Sequence, residues 1–151
     1  MTDFSQYLYK FIIDTVYNIP KLEELYLCEM LTTPISFTEA HIIKVIGLSG
    51  TISITSLATE LKITLPSTTV AVKKLESKGY IAKTRCEIDG RKTAISLTEI
   101  GSQAYFIHNM FHERIASYII EDFNQEEIGV LFTALSRIND FIENKIKDDC
   151  I

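Results

Sequence analysis

The chain has 151 residues, and 46% of them are hydrophobic, which suits one domain with a substantial core. A net charge of −5 argues against a polycation that coats nucleic acid, and a charged fraction of 23% argues against a long disordered chain. The longest uncharged stretch, 45–59, is too short and too rich in Ser and Thr for a membrane span. Asp3 stands where a signal peptide would have basic residues, so we expect a cytoplasmic protein that does not enter the membrane.

Charge is unevenly distributed along the chain. Residues 1–52 carry a net charge of −3, residues 53–98 carry +4, and residues 99–151 carry −6. Positive charge is therefore confined to a central segment, and any contact with nucleic acid is expected there.

The N-terminal region predicts an amphipathic helix. Apolar residues recur there at the three-and-four spacing of one helical face; they are Phe4, Tyr7, Leu8, Phe11, Ile12 and Val16. Pro20 interrupts this run and predicts a kink or the start of a second segment. Ser36 and Glu39 form the signature of a capping box ahead of a second apolar helix.

The central segment predicts two short helices. Ser53 can cap the first, and Thr64-Leu65-Pro66 is typical of the start of the second. The second helix has a buried stripe of small and apolar side chains, which are Thr68, Ala71, Val72 and Leu75. Gly79 stands where a helix ends in the left-handed conformation.

The pattern after Gly79 changes to that of a β-hairpin. Residues 80–87 and 93–97 are β-like, and Asp89-Gly90 between them is a hairpin signal. Two short helices followed by a hairpin predict a winged helix-turn-helix, so the fold class is mainly α with a small β-hairpin wing.

The C-terminal region predicts two more amphipathic helices. Thr98 can cap the first, and Asn124 with Glu127 forms a second capping signature. Because the terminal stripes are long for the small centre between them, we expect a homodimer built from the terminal helices. The predicted division is 1–35 for N-terminal dimerisation, 36–98 for DNA binding, and 99–151 for C-terminal dimerisation.

A DNA-reading surface is predicted on the second central helix and the wing. If the stripe of that helix faces inward, then small polar residues and lysines face outward and suit a major groove. The hairpin adds cations, and an arginine at a wing tip suits a narrow minor groove. The predicted DNA-binding residues are Pro66, Ser67, Thr69, Val70, Lys73, Lys74, Lys83, Arg85, Arg91 and Lys92. Asp89 and Gly90 are predicted to shape the wing. An ordinary solvated helix face would have similar residues, and the basic hairpin favours the DNA interpretation.

Two runs of the central segment resemble the MarR family of winged-helix transcriptional regulators. They are TSLATELKITLPSTTVAVKKLESKGYI (55–81) and DGRKTAISLTEIG (89–101). The likeness rests on Leu57-Ala58, Leu75-Glu76, Gly79, Asp89, Arg91, Leu97-Thr98 and Gly101. It implies a homodimeric regulator on double-stranded DNA, with 67–74 in consecutive major grooves and the Arg91 wings in adjacent minor grooves. A two-fold dimer predicts a pseudo-palindromic operator with half-sites ~34 Å apart. Gly90 departs from the family, which often has a second basic residue there.

The effector has two main candidates. His108 and His112 stand at the i,i+4 spacing that can share a metal ion, although they also suit packing within an apolar stripe. Either Glu23 or Glu24, together with Cys28, adds candidate ligands. Resemblance to zinc-responsive members of the family implies a tentative zinc site of Glu24, His41, His108 and His112.

Resemblance to the fatty-acid-biosynthesis repressor (FabT-like) subfamily covers more of the chain. It extends over 22–27, 39–47, 62–81, 108–112 and 121–127, and it includes the same histidines. It implies a repressor of fatty-acid-synthesis genes with long-chain acyl carrier protein as co-repressor, and we favour this interpretation over the zinc-responsive one.

Three further hypotheses rank lower. Cys28, Cys86 and Cys150 are widely spaced, and neither Cys28 nor Cys86 matches the position that redox-sensing members of the family use. An enzyme is not expected, since the chain has no GxSxG, HExxH or phosphate-cradling glycine loop. A protein interaction module that does not bind DNA would leave the basic wing unexplained.

Overall fold

A computed structural model describes residues 3–85 and 93–148, with Arg85 described by its backbone alone. Within these residues the chain forms six helices and three strands. In chain order they are α1 (Asp3–Met30), α2 (Phe37–Ser49), β1 (Thr51–Ser53), α3 (Ile54–Leu61), α4 (Leu65–Ser77), β2 (Ile81–Arg85), β3 (Thr93–Leu97), α5 (Glu99–Ile120) and α6 (Gln125–Asp148). The chain divides after Phe111 into two compact units. None of the described helices has the length and apolarity needed to cross a membrane.

The predicted helix caps are confirmed. Ser36 and Glu39 form a complete capping box at the start of α2, in which the N–H of Ser36 donates to Glu39 Oε2 at 2.8 Å. At the start of α6, the N–H of Asn124 donates to Glu127 Oε2 at 2.8 Å and the N–H of Glu127 donates back to Asn124 Oδ1 at 3.0 Å. These local exchanges satisfy backbone groups that a helix end would otherwise leave without partners.

The prediction of a second segment at Pro20 is wrong, because α1 continues through it as one helix of 28 residues. A proline inside a helix frees the carbonyl four residues earlier, here that of Val16. Val16 is 67% exposed, so water can hydrate the freed carbonyl and the helix is not forced to end.

The sheet contains one strand that the sequence does not predict. Its order is β1-β3-β2 with both pairings antiparallel, and the register places Ile52 opposite Ile95 and Lys83 opposite Ile95. The two predicted hairpin strands are present as β2 and β3, although β2 begins at Ile81 rather than at Tyr80. The rest of the predicted hairpin, 86–92, lies outside the described residues.

The core lies in the first unit, between the sheet and the helices that precede it. Its largest fully buried side chain is Tyr80. Around it pack isoleucines of α2, Leu57 of α3, Val72 and Leu75 of α4, and Ile95 of β3. This packing fixes α3 and α4 against the base of the hairpin, which is the arrangement of a winged helix-turn-helix.

The terminal helices keep large apolar side chains in solvent. In α1 these include Phe4, Tyr7 and Phe11, and α6 has no buried residue at all. The exposed apolar residues of α6 are Val130, Phe132, Leu135, Ile138, Phe141, Ile142 and Ile146.

Candidate nucleic-acid interface

The second central helix, α4, begins as its sequence predicts. Thr64 is the N-cap, and its hydroxyl accepts the N–H of Ser67 at 3.4 Å. Pro66 lies in the first turn, where the missing N–H costs no hydrogen bond. The turn from α3 is short because Lys62 adopts the left-handed conformation, with φ 53°, and its N–H bonds back to α3. This turn sets α4 at the surface of the unit.

Three of the four residues predicted for the buried stripe of α4 are buried, namely Thr68, Val72 and Leu75, and the fourth, Ala71, is half-buried against the core. The opposite side is solvent exposed, and we call it the outer face of α4; its residues are Pro66, Ser67, Val70, Lys73 and Lys74. Thr69 is only half-buried, and its hydroxyl donates to the carbonyl of Leu65 at 2.8 Å. The predicted set thus lies on one surface, with Thr69 at its edge.

The two lysines of the outer face differ in their partners. Lys74 lies 3.2 Å from Glu39 Oε1, across from the first turn of α2. Among the ion pairs that join described residues, none includes Lys73. The charge of Lys74 is therefore partly compensated within the chain, and that of Lys73 is available to a phosphate.

Glu39 is buried and has more than one cationic neighbour. Its side chain is 5% exposed, and Lys78 Nζ donates to its Oε2 at 2.8 Å while also donating to the carbonyl of Pro34 at 2.8 Å. Burial acts to raise the pKa of Glu39, but hydrogen bonds from Lys78 and from the N–H of Ser36, together with the ammonium of Lys74, hold that pKa below its ordinary value. The carboxylate is accordingly ionised at neutral pH.

Tyr80 joins the end of the α4 segment to the connection between α1 and α2. Its hydroxyl donates to the carbonyl of Thr33. Burial, and then the negative charge of Glu39, raise the pKa of Tyr80, so the hydroxyl keeps the proton that this hydrogen bond needs.

Only part of the predicted wing site lies within the described residues. Lys83 on β2 pairs with Glu76 of α4 at 2.5 Å, so it ties the wing base to the helix. The side chain of Arg85, together with Cys86, Asp89, Gly90, Arg91 and Lys92, lies outside the description, as does Cys150. Their predicted roles stay predictions.

The tentative zinc ligands do not lie together as a set of four. Glu24 Oε1 accepts the N–H of Phe37 at 2.8 Å, and His41 is exposed on α2. The neighbouring carboxylate, Glu23, is fully buried and lies 2.5 Å from His108 Nδ1. His112 follows one turn later on α5, and the potential ligand atoms of Glu23, His108 and His112 lie within 4.8 Å of one another.

Sequence reasoning missed the wider role of Glu39, and it named Glu23 only as an alternative ligand to Glu24. Glu39 was predicted only as a local cap, and its bond to Lys78 joins residues 39 positions apart. Glu23 carried a usable signal, because it stands at i,i+4 spacing with Leu27 and Leu31, both of which are buried. A carboxylate on a buried stripe predicts a buried partner.

The two helices joined by a short turn, with the antiparallel strands beside them, define a winged helix-turn-helix DNA-binding protein. A MarR family model matches residues 35–93. FabT of Streptococcus pneumoniae, solved in complex with DNA, is 31% identical with a TM-score of 0.84, and the match covers 93% of this chain and 98% of that one. The chain therefore belongs to the MarR family of DNA-binding transcription regulators.

More distant solved structures share the fold. A mutant MarR from E. coli complexed with operator DNA is 18% identical with a TM-score of 0.65, over 91% of this chain and 99% of that one. ZitR of Lactococcus lactis, a zinc-responsive MarR family member, is 26% identical with a TM-score of 0.59, over 74% of this chain and 78% of that one. No curated protein matches the chain.

Proposed function

We propose that this chain is a homodimeric repressor that reads a pseudo-palindromic operator and controls fatty-acid-synthesis genes. The observation that carries the proposal is the match to FabT bound to DNA, at 31% identity over 98% of that chain. The match covers the helices on both sides of the DNA-binding part as well as that part itself, and this supports carrying the role over to the whole chain.

The outer face of α4 supports the DNA-reading role. Ser67 and Val70 offer a hydroxyl and methyl groups for base edges, and the two lysines offer charge for phosphates. All four are exposed, and they lie within the segment whose net charge is +4. Arg91 and Lys92 would extend the same contact into the minor groove.

The exposed apolar faces of α1 and α6 support the homodimer. Phe132 is 71% exposed and Phe141 is 64% exposed, far from the burial that such side chains usually have in a monomer. Contiguous apolar surface of this kind marks an association site. A second copy of the chain, related by two-fold symmetry, would cover apolar faces of this kind.

The DNA-binding role is tested with Lys73→Ala. A duplex selected by the wild-type protein from a randomised pool serves as the probe, and fluorescence anisotropy gives the affinity over a salt series. Loss of one phosphate contact lowers the salt slope by about 1 and weakens binding to all sequences. Lys145→Ala on the exposed end of α6 is the matched control. If Lys73→Ala and Lys145→Ala bind alike, α4 is not the DNA-reading helix.

The lipid role is tested with acyl carrier protein carrying a long acyl chain. Under the proposal, the acylated carrier tightens binding to the selected duplex and the unacylated carrier does not. Native mass spectrometry of the purified protein checks whether an acyl species is bound. Equal DNA affinity with the acylated and the unacylated carrier would exclude the lipid role and would mean that the regulator has another effector.

A zinc-responsive repressor is the second candidate, and the group of Glu23, His108 and His112 favours it. Imidazole nitrogens and a carboxylate are zinc ligands, and three of them near one another can hold the ion with one position left for a water or another ligand. These residues fit the metal, so zinc would be held by the facing sides of α1 and α5.

The zinc candidate has a direct test. Zinc titration should raise the melting temperature of the wild-type protein and should do so less for His112→Gln, while elemental analysis counts bound zinc. Glu24→Gln is the control, because its carboxylate bonds to the backbone of Phe37. Equal zinc binding by wild type and His112→Gln excludes this site.

A further inference from the structure

The start of α2 and the end of α4 meet at a single carboxylate. Glu39 Oε2 accepts hydrogen bonds from Lys78 Nζ and from the N–H of Ser36, both at 2.8 Å, and Oε1 faces Lys74 Nζ at 3.2 Å. The side chain is 5% exposed, whereas Lys74 is 59% exposed. A buried anion is therefore held in place, and one of its two cationic partners reaches solvent on the outer face of α4.

In this arrangement, within the described part of the chain, the charge of Lys74 is compensated by a neighbouring anion and the charge of Lys73 is not. An ion pair with a well-held carboxylate cancels much of the field of Lys74, whereas Lys73 has no such partner among the described residues. Lys78 also bonds to the carbonyl of Pro34, so the same carboxylate anchors the C-terminal end of α4 to the connection between α1 and α2. A residue that served only in the capping box at the start of α2 would need neither lysine.

We propose that Glu39 is a positioning residue for DNA binding: it compensates Lys74 and ties α4 to the start of α2, which leaves Lys73 as the uncompensated cation of the outer face. The proposal rests on the proposed reading of DNA by α4. A helix that is held in place and carries limited charge binds most tightly to DNA whose bases fit its side chains. Additional positive charge would strengthen binding to every sequence, because all sequences have the same phosphates. Glu39 thereby favours specificity over affinity.

Glu39→Gln tests this role. Glutamine keeps the capping box, since it can accept the N–H of Ser36, but it carries no charge. Lys74 then becomes an additional phosphate-binding cation. We expect the salt slope for a scrambled duplex to steepen by about 0.9, and the affinity for it to rise about five- to tenfold at about 0.1 M salt. The ratio of affinities for the selected and the scrambled duplex falls by a similar factor.

Two controls separate this role from a general change of charge or stability. Glu60→Gln removes the same charge from an exposed position on α3, and it should change the slope less than Glu39→Gln. In a Lys74→Ala background, Glu39→Gln should no longer steepen the slope, because the cation that it releases is absent. Circular dichroism and urea unfolding establish that each variant is folded at the assay temperature.

The remaining outcomes overturn the proposal. Weaker binding of Glu39→Gln to both duplexes with an unchanged salt slope would mean that Glu39 only stabilises the fold. Equal effects of Glu39→Gln and Glu60→Gln would mean a general electrostatic effect. If Lys73→Ala leaves the slope unchanged, the proposed DNA-reading face fails and this proposal fails with it. A normal Lys73→Ala response with no effect of Glu39→Gln overturns the role of Glu39 alone.

Discussion

Gly101 lies where the first turn of α5 passes over the backbone that leads into β2. A Cβ at this residue would lie 1.9 Å from the carbonyl oxygen of Tyr80. That oxygen belongs to the main chain and already accepts the N–H of Thr98 at 3.0 Å, so it cannot swing aside as a side chain would. Gly101→Ala must therefore separate α5 from the strand base.

The size of the effect follows from these contacts. Real Cβ atoms essentially never come closer than 3.0 Å to another heavy atom, so the gap must open by more than 1 Å. Overpacking of this kind costs about 1–3 kcal/mol, and the strained hydrogen bond of Thr98 adds about 1 kcal/mol. We expect Gly101→Ala to lower the free energy of unfolding by about 3 kcal/mol.

Two other glycines give a graded comparison. A Cβ at Gly47 meets the ring of Tyr105 at 2.4 Å, and a ring can move, so Gly47→Ala should cost about 1 kcal/mol after the gain in helix propensity. A Cβ at Gly129 meets nothing within 4 Å, so Gly129→Ala should stabilise α6 by about 0.5–1 kcal/mol.

Urea unfolding at one fixed protein concentration measures the series. A loss of about 3 kcal/mol moves the midpoint by about 1–3 M for an ordinary urea dependence. The expected order of midpoints is Gly129→Ala, wild type, Gly47→Ala and then Gly101→Ala. A Gly101→Ala protein with a wild-type midpoint would refute the reasoning.

Three further predictions concern pH, association and capping. The pKa of Glu39 is lowered in the folded state, so the stability that its charge contributes is complete above the unfolded pKa of about 4.3 and is lost as pH falls through the folded pKa. On acidification to about pH 3.5, the urea midpoint should therefore drop less in Glu39→Gln than in wild type. Phe141→Glu should shift the sedimentation of the proposed dimer to that of a monomer, whereas Lys145→Glu should not. The hydroxyl of Thr98 donates to the carbonyl of Gly79 and accepts the N–H of Gly101. Thr98→Ala removes both hydrogen bonds and should lower the free energy of unfolding by about 1–2 kcal/mol. Thr98→Ser keeps the hydroxyl and should recover most of the loss.

Features set by neighbouring residues could be predicted from the sequence. The capping box of Ser36 and Glu39 and the start of α4 at Thr64 depend on side chains three positions from the backbone groups that they bond. The winged-helix class followed from the order of these signals. The family resemblance included Gly101 without a reason, and the approach of the Tyr80 carbonyl supplies that reason.

Features set by distant partners could not be predicted. β1 has only three residues, too few for a periodic pattern, and it exists because β3 offers it an edge. The tentative zinc set named Glu24, whereas Glu23 faces His108. Consecutive helical residues point about 100° apart, so a likeness that is loose by one residue selects a side chain on a different face of α1.

Ser53 is both the last residue of β1 and the N-cap of α3. The chain thus passes from sheet to helix-turn-helix with no linker between them, while the pair of Lys83 and Glu76 fastens the other side of the sheet to α4. Within the described residues, the base of the wing is thus joined to the helix-turn-helix at both edges of the sheet. If α4 and the wing read neighbouring grooves as proposed, the distance between them would change little on binding. Adjustment in the proposed complex would then fall to the duplex, and base pairs that touch no side chain would influence the choice of site through how easily they bend and twist.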